Sequence, residues 1–204
     1  MEVETALLLY YLGNFSIKLY SMKLQDGVIS TFKEIFQTAL ISLAIFLFVY
    51  IFLVQPHRVR GESMTPNFED GELLLTEKVS YRFANPNRGD VIVFEAPVGR
   101  KVDFIKRIIG LPGDSVSVHG GSVFVNGDKI IESYINVPTQ GEEDLKLAND
   151  EYFVFGDNRG ASSDSRVFGP IKRSSMRGRV WFVYWPLFKG AKYEGLRLIS
   201  RVYY

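Results

Sequence analysis

Residues 103–114 read DFIKRIIGLPGD, and Lys106 is out of keeping with its neighbours. A strand sends alternate side chains to one face. That groups Lys106 with Phe104 and Ile108, and puts Ile105, Arg107 and Ile109 on the other side. A lysine with apolar neighbours on its own face either snorkels to the surface or is held where its charge is disfavoured. The second case has a chemical use, because a neutral amine accepts a proton from a serine hydroxyl and an ammonium cannot. A free lysine titrates at about 10.4, so near pH 8 only a fraction of a percent of it is neutral. Lowering that value by roughly 3 units costs about 4 kcal/mol and requires desolvation.

Two polar stretches offer a hydroxyl partner. In VRGESMTPNFEDGE, residues 59–72, Ser63 stands two residues after a glycine that lets backbone approach closely, and just before a proline-containing turn. In FGDNRGASSDSR, residues 155–166, Asp, Asn, Arg and Ser are dense enough either for a rigid network of charge-assisted hydrogen bonds or for a plain solvated loop. Other chemistries have less support. The only histidines, His57 and His119, both read as exposed, and there is no HExxH or GxSxG motif. The RGD tripeptide at 88–90 reads as turn punctuation. Taken alone, these residues leave open both a Ser–Lys site and a solvent-facing strand lysine flanked by polar loops.

The elements that would have to position such a site are readable. The chain has 204 residues, of which 47% are hydrophobic, with a formal net charge of +1 and no cysteine. The charge shows no bias toward nucleic acid, and disulfides, cysteine-ligated zinc and a thiol nucleophile are excluded. Residues 35–54, IFQTALISLAIFLFVYIFLV, carry neither charge nor proline. As a helix this run rises roughly 30 Å, the thickness of a bilayer's hydrocarbon core, so we expect a transmembrane helix there. It is longer than a signal-peptide h-region and lacks an A-x-A-like site at its end. Lys18, Lys23 and Lys33 precede it while Arg58 and Arg60 follow, so charge does not orient it. Residues 1–34 read as an interfacial helix or a cytoplasmic tail.

Residues 55–204 change to short alternating runs separated by turns. SVSV and SVFV flank Gly120-Gly121, and an Asn126-Gly127 turn follows, both strong hairpin signals. No long amphipathic helix and no internal repeat stand out. The expected fold is therefore mostly β: an antiparallel sheet or partial barrel, with a β-hairpin insertion within 115–150 and one N-terminal membrane helix.

Four motifs occur in order: GESMTP, RGDVIVF, DFIKRIIGLPGD and GDNRGASSDSR. Together they resemble the bacterial type I signal peptidases (leader peptidases), membrane-anchored serine proteases of the Ser–Lys class. The resemblance runs from the apolar segment to the C-terminus. It implies Ser63 as nucleophile, Lys106 as general base and Ser162 as the hydroxyl that orients the lysine. It also implies Asp157, Arg159, Asp164 and Arg166 as supporting polar residues. Met64, Phe104 and Ile105 match positions lining the pocket for the small residue before the cut. One position departs from some relatives: Gly61 stands where they carry a serine that donates to the oxyanion hole, leaving the Ser63 N–H and an unidentified second donor.

The resemblance further implies signal peptides of exported preproteins as substrates, cut after small residues in an A-x-A pattern. It implies a catalytic domain on the extracytoplasmic side of the cell membrane, no cofactor, metal or nucleic acid, and a monomer. The short linker 55–62 reaches roughly 30 Å even when fully extended, which would keep Ser63 close to the bilayer surface. Trp181, Tyr184 and Trp185 suit either that interface or a strand's core face. Two rivals remain at this level. Self-cleaving SOS-response repressors share the dyad but carry a helix-turn-helix and no anchor, and a non-catalytic, membrane-tethered β-domain could serve as a binding module.

Overall fold

The apolar run forms helix α1, Ile29–Leu53, with its last turn, Val49–Leu53, in π geometry. Every residue from 29 to 48 is exposed, although the helix is apolar for most of its length. The computed structural model describes residues 29–97, 99, 101–188, 190 and 193–199. The expectations for 1–28 and for the final residues therefore lie outside the described residues. The helix ends one residue before the expected boundary, because Val54 opens strand β1 (Val54–Arg58). Hydropathy alone cannot detect this change, since an apolar strand residue continues the run. The chain divides into two units, Met1–Val49 and Tyr50–Tyr204, and the second carries all the described strands.

These strands are β2 (Leu73–Glu77), β3 (Val91–Glu95), β4 (Asp103–Gly110), β5 (Ser115–His119), β6 (Ser122–Val125), β7 (Asp128–Lys129), β8 (Glu143–Lys146), β9 (Glu151–Phe155), β10 (Ile171–Lys172), β11 (Met176–Trp185) and β12 (Arg197–Leu198). Two helices of four residues, α2 (Ser80–Phe83) and α3 (Ser165–Phe168), interrupt them. The larger sheet has eight strands in the order β1-β2-β11-β3-β4-β9-β10, with β12 added to β11. The smaller has four, β7-β6-β5-β8. Both sheets are antiparallel throughout.

Alternation of side chains assigns residues to three apolar clusters. On β3, Val91 and Val93 join Leu74, Val180 and Val183 on one face, whereas Ile92 and Phe94 join Ile108 and Val154 on the other. A strand buried on both faces reads as an unbroken apolar run, which is what VIVF is. On β9, Phe153 and Phe155 leave that second cluster and pack against Val116, Val118 and Val123 of the smaller sheet. Gly120 and Gly121, at φ of 55° and 80°, make the β5–β6 turn, a backbone that side chains with a Cβ resist. Trp181 and Trp185 are 47% and 52% exposed, so β11 turns both away from the core.

Within the larger sheet, β11 runs between β2 and β3, and at Gly178 it passes close to the backbone of β2. A Cβ at Gly178 would lie 2.4 Å from the Glu77 carbonyl oxygen, a backbone atom that cannot swing aside. Gly178→Ala is therefore expected to destabilise the second unit at the upper end of the ~1–3 kcal/mol range for overpacking. The corresponding fall in Tm is on the order of 10 °C. Thermal unfolding of the full chain in detergent micelles checks this, and an unchanged Tm would show that the strands can separate there freely.

Candidate active site

Strand β4 carries Lys106 into the interior. It pairs with Ile92 in register and is only 3% exposed. Its Nζ lies 2.7 Å from Ser63 Oγ and 3.0 Å from the Ile105 carbonyl oxygen, and 5.4 Å from the centre of the Phe104 ring. Burial pushes the amine's pKa down from 10.5 to about 8; Asp164 and Asp157 act in the opposite direction without overcoming the desolvation. An amine in this state spends an appreciable fraction of its time neutral at mildly alkaline pH. Its lone pair can then accept the hydrogen bond that Ser63 O–H donates.

Ser63 stands in the turn between β1 and β2. Gly61 enters this turn at φ +84°, with its N–H donated to Asp70 Oδ1 at 2.8 Å. The turn is clamped from the far side of the site. Asn158 donates its backbone N–H to the Ser63 carbonyl at 3.1 Å, and its Nδ2 donates to Glu62 O at 3.1 Å and to Thr65 Oγ1 at 3.0 Å. The Ser63 N–H has no acceptor among the described residues.

Asn158 is held in turn by its neighbour. Asp157, 1% exposed, receives two hydrogen bonds from Arg107, Nε to Oδ1 at 2.8 Å and Nη2 to Oδ2 at 2.6 Å. Asn67 Nδ2 donates to the same carboxylate at 2.9 Å. Arg159, 2% exposed, pairs with Glu132 and donates to Gly156 O at 3.1 Å. Asp164 accepts from Arg166 through both oxygens at 2.8 Å and from the Gly156 N–H at 3.1 Å. Gly156 is thus tied at both backbone atoms. A Cβ there would fall 2.4 Å from the Ser63 carbonyl oxygen and 2.2 Å from Ser162 Oγ, so only glycine lets the two loops meet.

Three sequence expectations were met differently, and three residues of the site were missed. Ser162 Oγ is buried but has no hydrogen-bond partner, so the expected bond to Lys106 is not formed; the amine instead takes the Ile105 carbonyl as its second partner. Met64 does not line the groove: it is 1% exposed and packs with Phe68, Leu74 and Val183, because the turn directs it inward as Ser63 faces out. His57 is half-buried rather than exposed, with its Nε2 shielded and unpartnered and burial lowering its pKa. His119 does lie at the surface, 2.6 Å from Glu142. Arg107, Asn67 and Asn158 carry the clamp, yet none was singled out. Arg107 and Asn158 lie inside the motifs, and Asn67 inside the polar stretch 59–72, which was the available signal.

Ser63 and Lys106 open onto a groove of about 730 Å³ that Val59, Leu74, Val93, Phe104 and Ile105 also line. Two of its walls have unpaired strand edges. Among the described residues, β1 pairs only with β2, and β9 joins β4 only from Arg107 onward, which leaves Asp103–Lys106 bonded on one side, to β3. Among the described residues, no group of three or more His, Asp and Glu side chains forms a candidate metal site.

The chain is similar to known proteins over most of its length. The profile for "Signal peptidase, peptidase S26" matches residues 32–185. A protein named probable signal peptidase I-2 from Synechocystis sp. is 35% identical over 82% of this chain and 79% of its own length. Signal peptidase I of Leptolyngbya laminosa is 38% identical over 78% of this chain and 82% of its own. Signal peptidase IB of Staphylococcus aureus is 37% identical over 76% and 91%. A match of this extent, at this identity, shows that the chain belongs to the signal peptidase family, peptidase S26.

Proposed function

We propose that the protein is a membrane-anchored serine peptidase that removes signal peptides from exported preproteins, with Ser63 as nucleophile and Lys106 as general base. The observation that carries this reading is the 2.7 Å approach of Ser63 Oγ to an amine that is 3% exposed and titrates at about 8. Oγ attacks the carbonyl carbon before the scissile bond, and its proton passes to Nζ. The tetrahedral oxyanion faces the unengaged Ser63 N–H. The Lys106 ammonium then protonates the departing amine, leaving an ester on Ser63 and a free mature N-terminus. Lys106, neutral again, takes a proton from a water as its oxygen attacks the ester carbonyl, then returns that proton to Ser63 Oγ as the C–Oγ bond breaks and the signal peptide leaves with a free carboxylate.

The groove supports a peptide substrate in extended form, since both unpaired strand edges can hydrogen-bond to a backbone laid between them. An extended peptide turns its first and third side chains before the cut to the same face. Small residues at those two positions suit a groove lined by Phe104, Ile105, Val59 and Leu74. Asp157, Arg159, Asp164 and Arg166 act as positioning residues, and the Ser162 hydroxyl is an unspent polar group beside them. The exposed apolar helix supports a single-pass anchor in the cell membrane with the catalytic unit outside the cytoplasm, acting as a monomer on substrates held in the same bilayer.

Cleavage of a preprotein is expected to fall by roughly four orders of magnitude in both Ser63→Ala and Lys106→Ala. N-terminal sequencing of the wild-type product should place the cut after a small residue, and wild-type rates in either variant would refute the dyad. The rate should rise with pH through a single ionisation near 8, because below that value the amine is charged; a flat profile would exclude Lys106 as base. Stability carries the same signature. The folded-state pKa of about 8 lies below the ordinary 10.5, so the unfolded chain binds the extra proton between those values, and stability rises with pH across that window. Below it, the buried charge costs about 3 kcal/mol. Lys106→Met should accordingly be inactive yet more stable by up to about 3 kcal/mol near pH 6, with the advantage fading near pH 10. Urea unfolding at the two pH values measures this.

A further inference from the structure

A second cavity, of about 260 Å³, is lined by Lys78, Tyr81, Arg82, Arg173, Met176 and Arg177. Four of the six are cations, and the lining contains no carboxylate. Their partners show which charges are already balanced. Arg177 is matched by Glu95 and by Asp103, the latter at 3.4 Å. Arg173 bonds only neutral oxygens: Asn85 Oδ1 at 2.6 Å, the Ala84 carbonyl at 2.9 Å and the Tyr81 carbonyl. Lys78 Nζ reaches only the Ile51 carbonyl, at 3.4 Å, and the Arg82 guanidinium lies 6.0 Å from the centre of the Phe52 ring. The nearby carboxylates are spoken for. Glu77 accepts from Arg179 and from the Val79 and Ser80 N–H groups, and Asp90 accepts from Tyr81 O–H and the Asn87 N–H. Among the described residues, three cations thus share one cavity with no carboxylate paired to them.

The cavity's place along the chain indicates which anion fits it. Ile51 and Phe52 belong to the last turn of α1, immediately before the apolar run gives way to β1. Beside Arg82, Phe83 is 86% exposed, an aromatic ring next to a cation, as suits the boundary between hydrocarbon and headgroups. Where a spanning helix leaves the bilayer, the anions at hand are lipid phosphates, and basic pockets at that level select lipids with net negative charge. We infer that Lys78, Arg82 and Arg173 form a binding site for the headgroup phosphate of an anionic phospholipid, which fastens the catalytic unit to the membrane at the root of its anchor. The inference rests on the reading of α1 as that anchor.

The test titrates the full chain in detergent micelles with phosphatidylglycerol and with phosphatidylcholine of equal chain length, counting bound lipid by native mass spectrometry. The wild type should retain phosphatidylglycerol in preference. At about 1 kcal/mol per cation, K78Q/R82Q should lose roughly thirty-fold of that preference, while R82K keeps most of it. Arg173 is left intact because it holds the carbonyls around α2. Equal retention of both lipids by the wild type, or an undiminished preference in K78Q/R82Q with an unchanged melting curve, overturns the site. Complete displacement of the lipid by an equal concentration of inorganic phosphate, or binding of polyglutamate in place of phosphatidylglycerol, also overturns it, in favour of a small anion or an acidic polypeptide. Alkaline carbonate extraction of membranes tests the anchor separately. A chain that stays in the membrane but shows no lipid preference refutes this site alone.

Discussion

The buried pairing of Arg107 with Asp157 is the constraint on which the candidate active site depends. Two parallel hydrogen bonds fix the guanidinium against the carboxylate, with the Arg107 ring contact to Tyr134 at 4.3 Å closing one face. Such a pair contributes little net stability, since each ion loses its hydration, yet leaving either partner alone costs about 3–5 kcal/mol. The value of this pair is geometric. Arg107 follows Lys106 on β4, and Asp157 precedes Asn158 in the loop after β9. One ion pair therefore sets the separation between the strand that carries the amine and the loop that grips the Ser63 turn. The fork of a guanidinium specifies that separation in a way that a lysine ammonium would not.

The same arrangement explains how the amine's pKa stays low although two carboxylates lie nearby. Asp157 and Asp164 both favour the charged amine, and unpaired they would hold the proton on it. Each is instead saturated by its own arginine, Arg107 and Arg166, so much of its field is cancelled before it reaches Nζ. Desolvation by the Phe104 side of β4 then prevails. The dense polar motif at 155–166 thus provides rigidity while its carboxylates raise the lysine's pKa by less than desolvation lowers it.

The smaller sheet contributes through packing. Phe153 and Phe155 of β9 anchor in its apolar cluster, and Glu132, from the segment after β7, receives Arg159. What reads along the chain as an inserted hairpin is in space a buttress behind the loop that positions Asn158. Both ends of that loop are therefore fixed by elements far away in sequence.

Local patterns were sufficient for much of this protein. Apolar residues without charge specify a long lipid-compatible helix, Gly-Gly and Asn-Gly specify tight turns, and period-two alternation specifies which strand residues are buried. The Ser63 and Lys106 motifs were recognisable through their resemblance to a family, whereas residue type and spacing alone left a solvent-facing lysine open. Outside regular structure that periodicity is lost, so the inward turn of Met64, the shielding of His57 and the solitary hydroxyl of Ser162 were not legible. Nor was the role of Arg107 or Asn158, because a hydrogen bond between loops depends on where two distant segments meet. The sequence by itself determined the elements, through short-range sterics and hydropathy, and its motifs pointed to the reactive groups by resemblance. Only the tertiary structure decided that the amine is desolvated and within reach of the hydroxyl, because burial and distance belong to the packed chain as a whole.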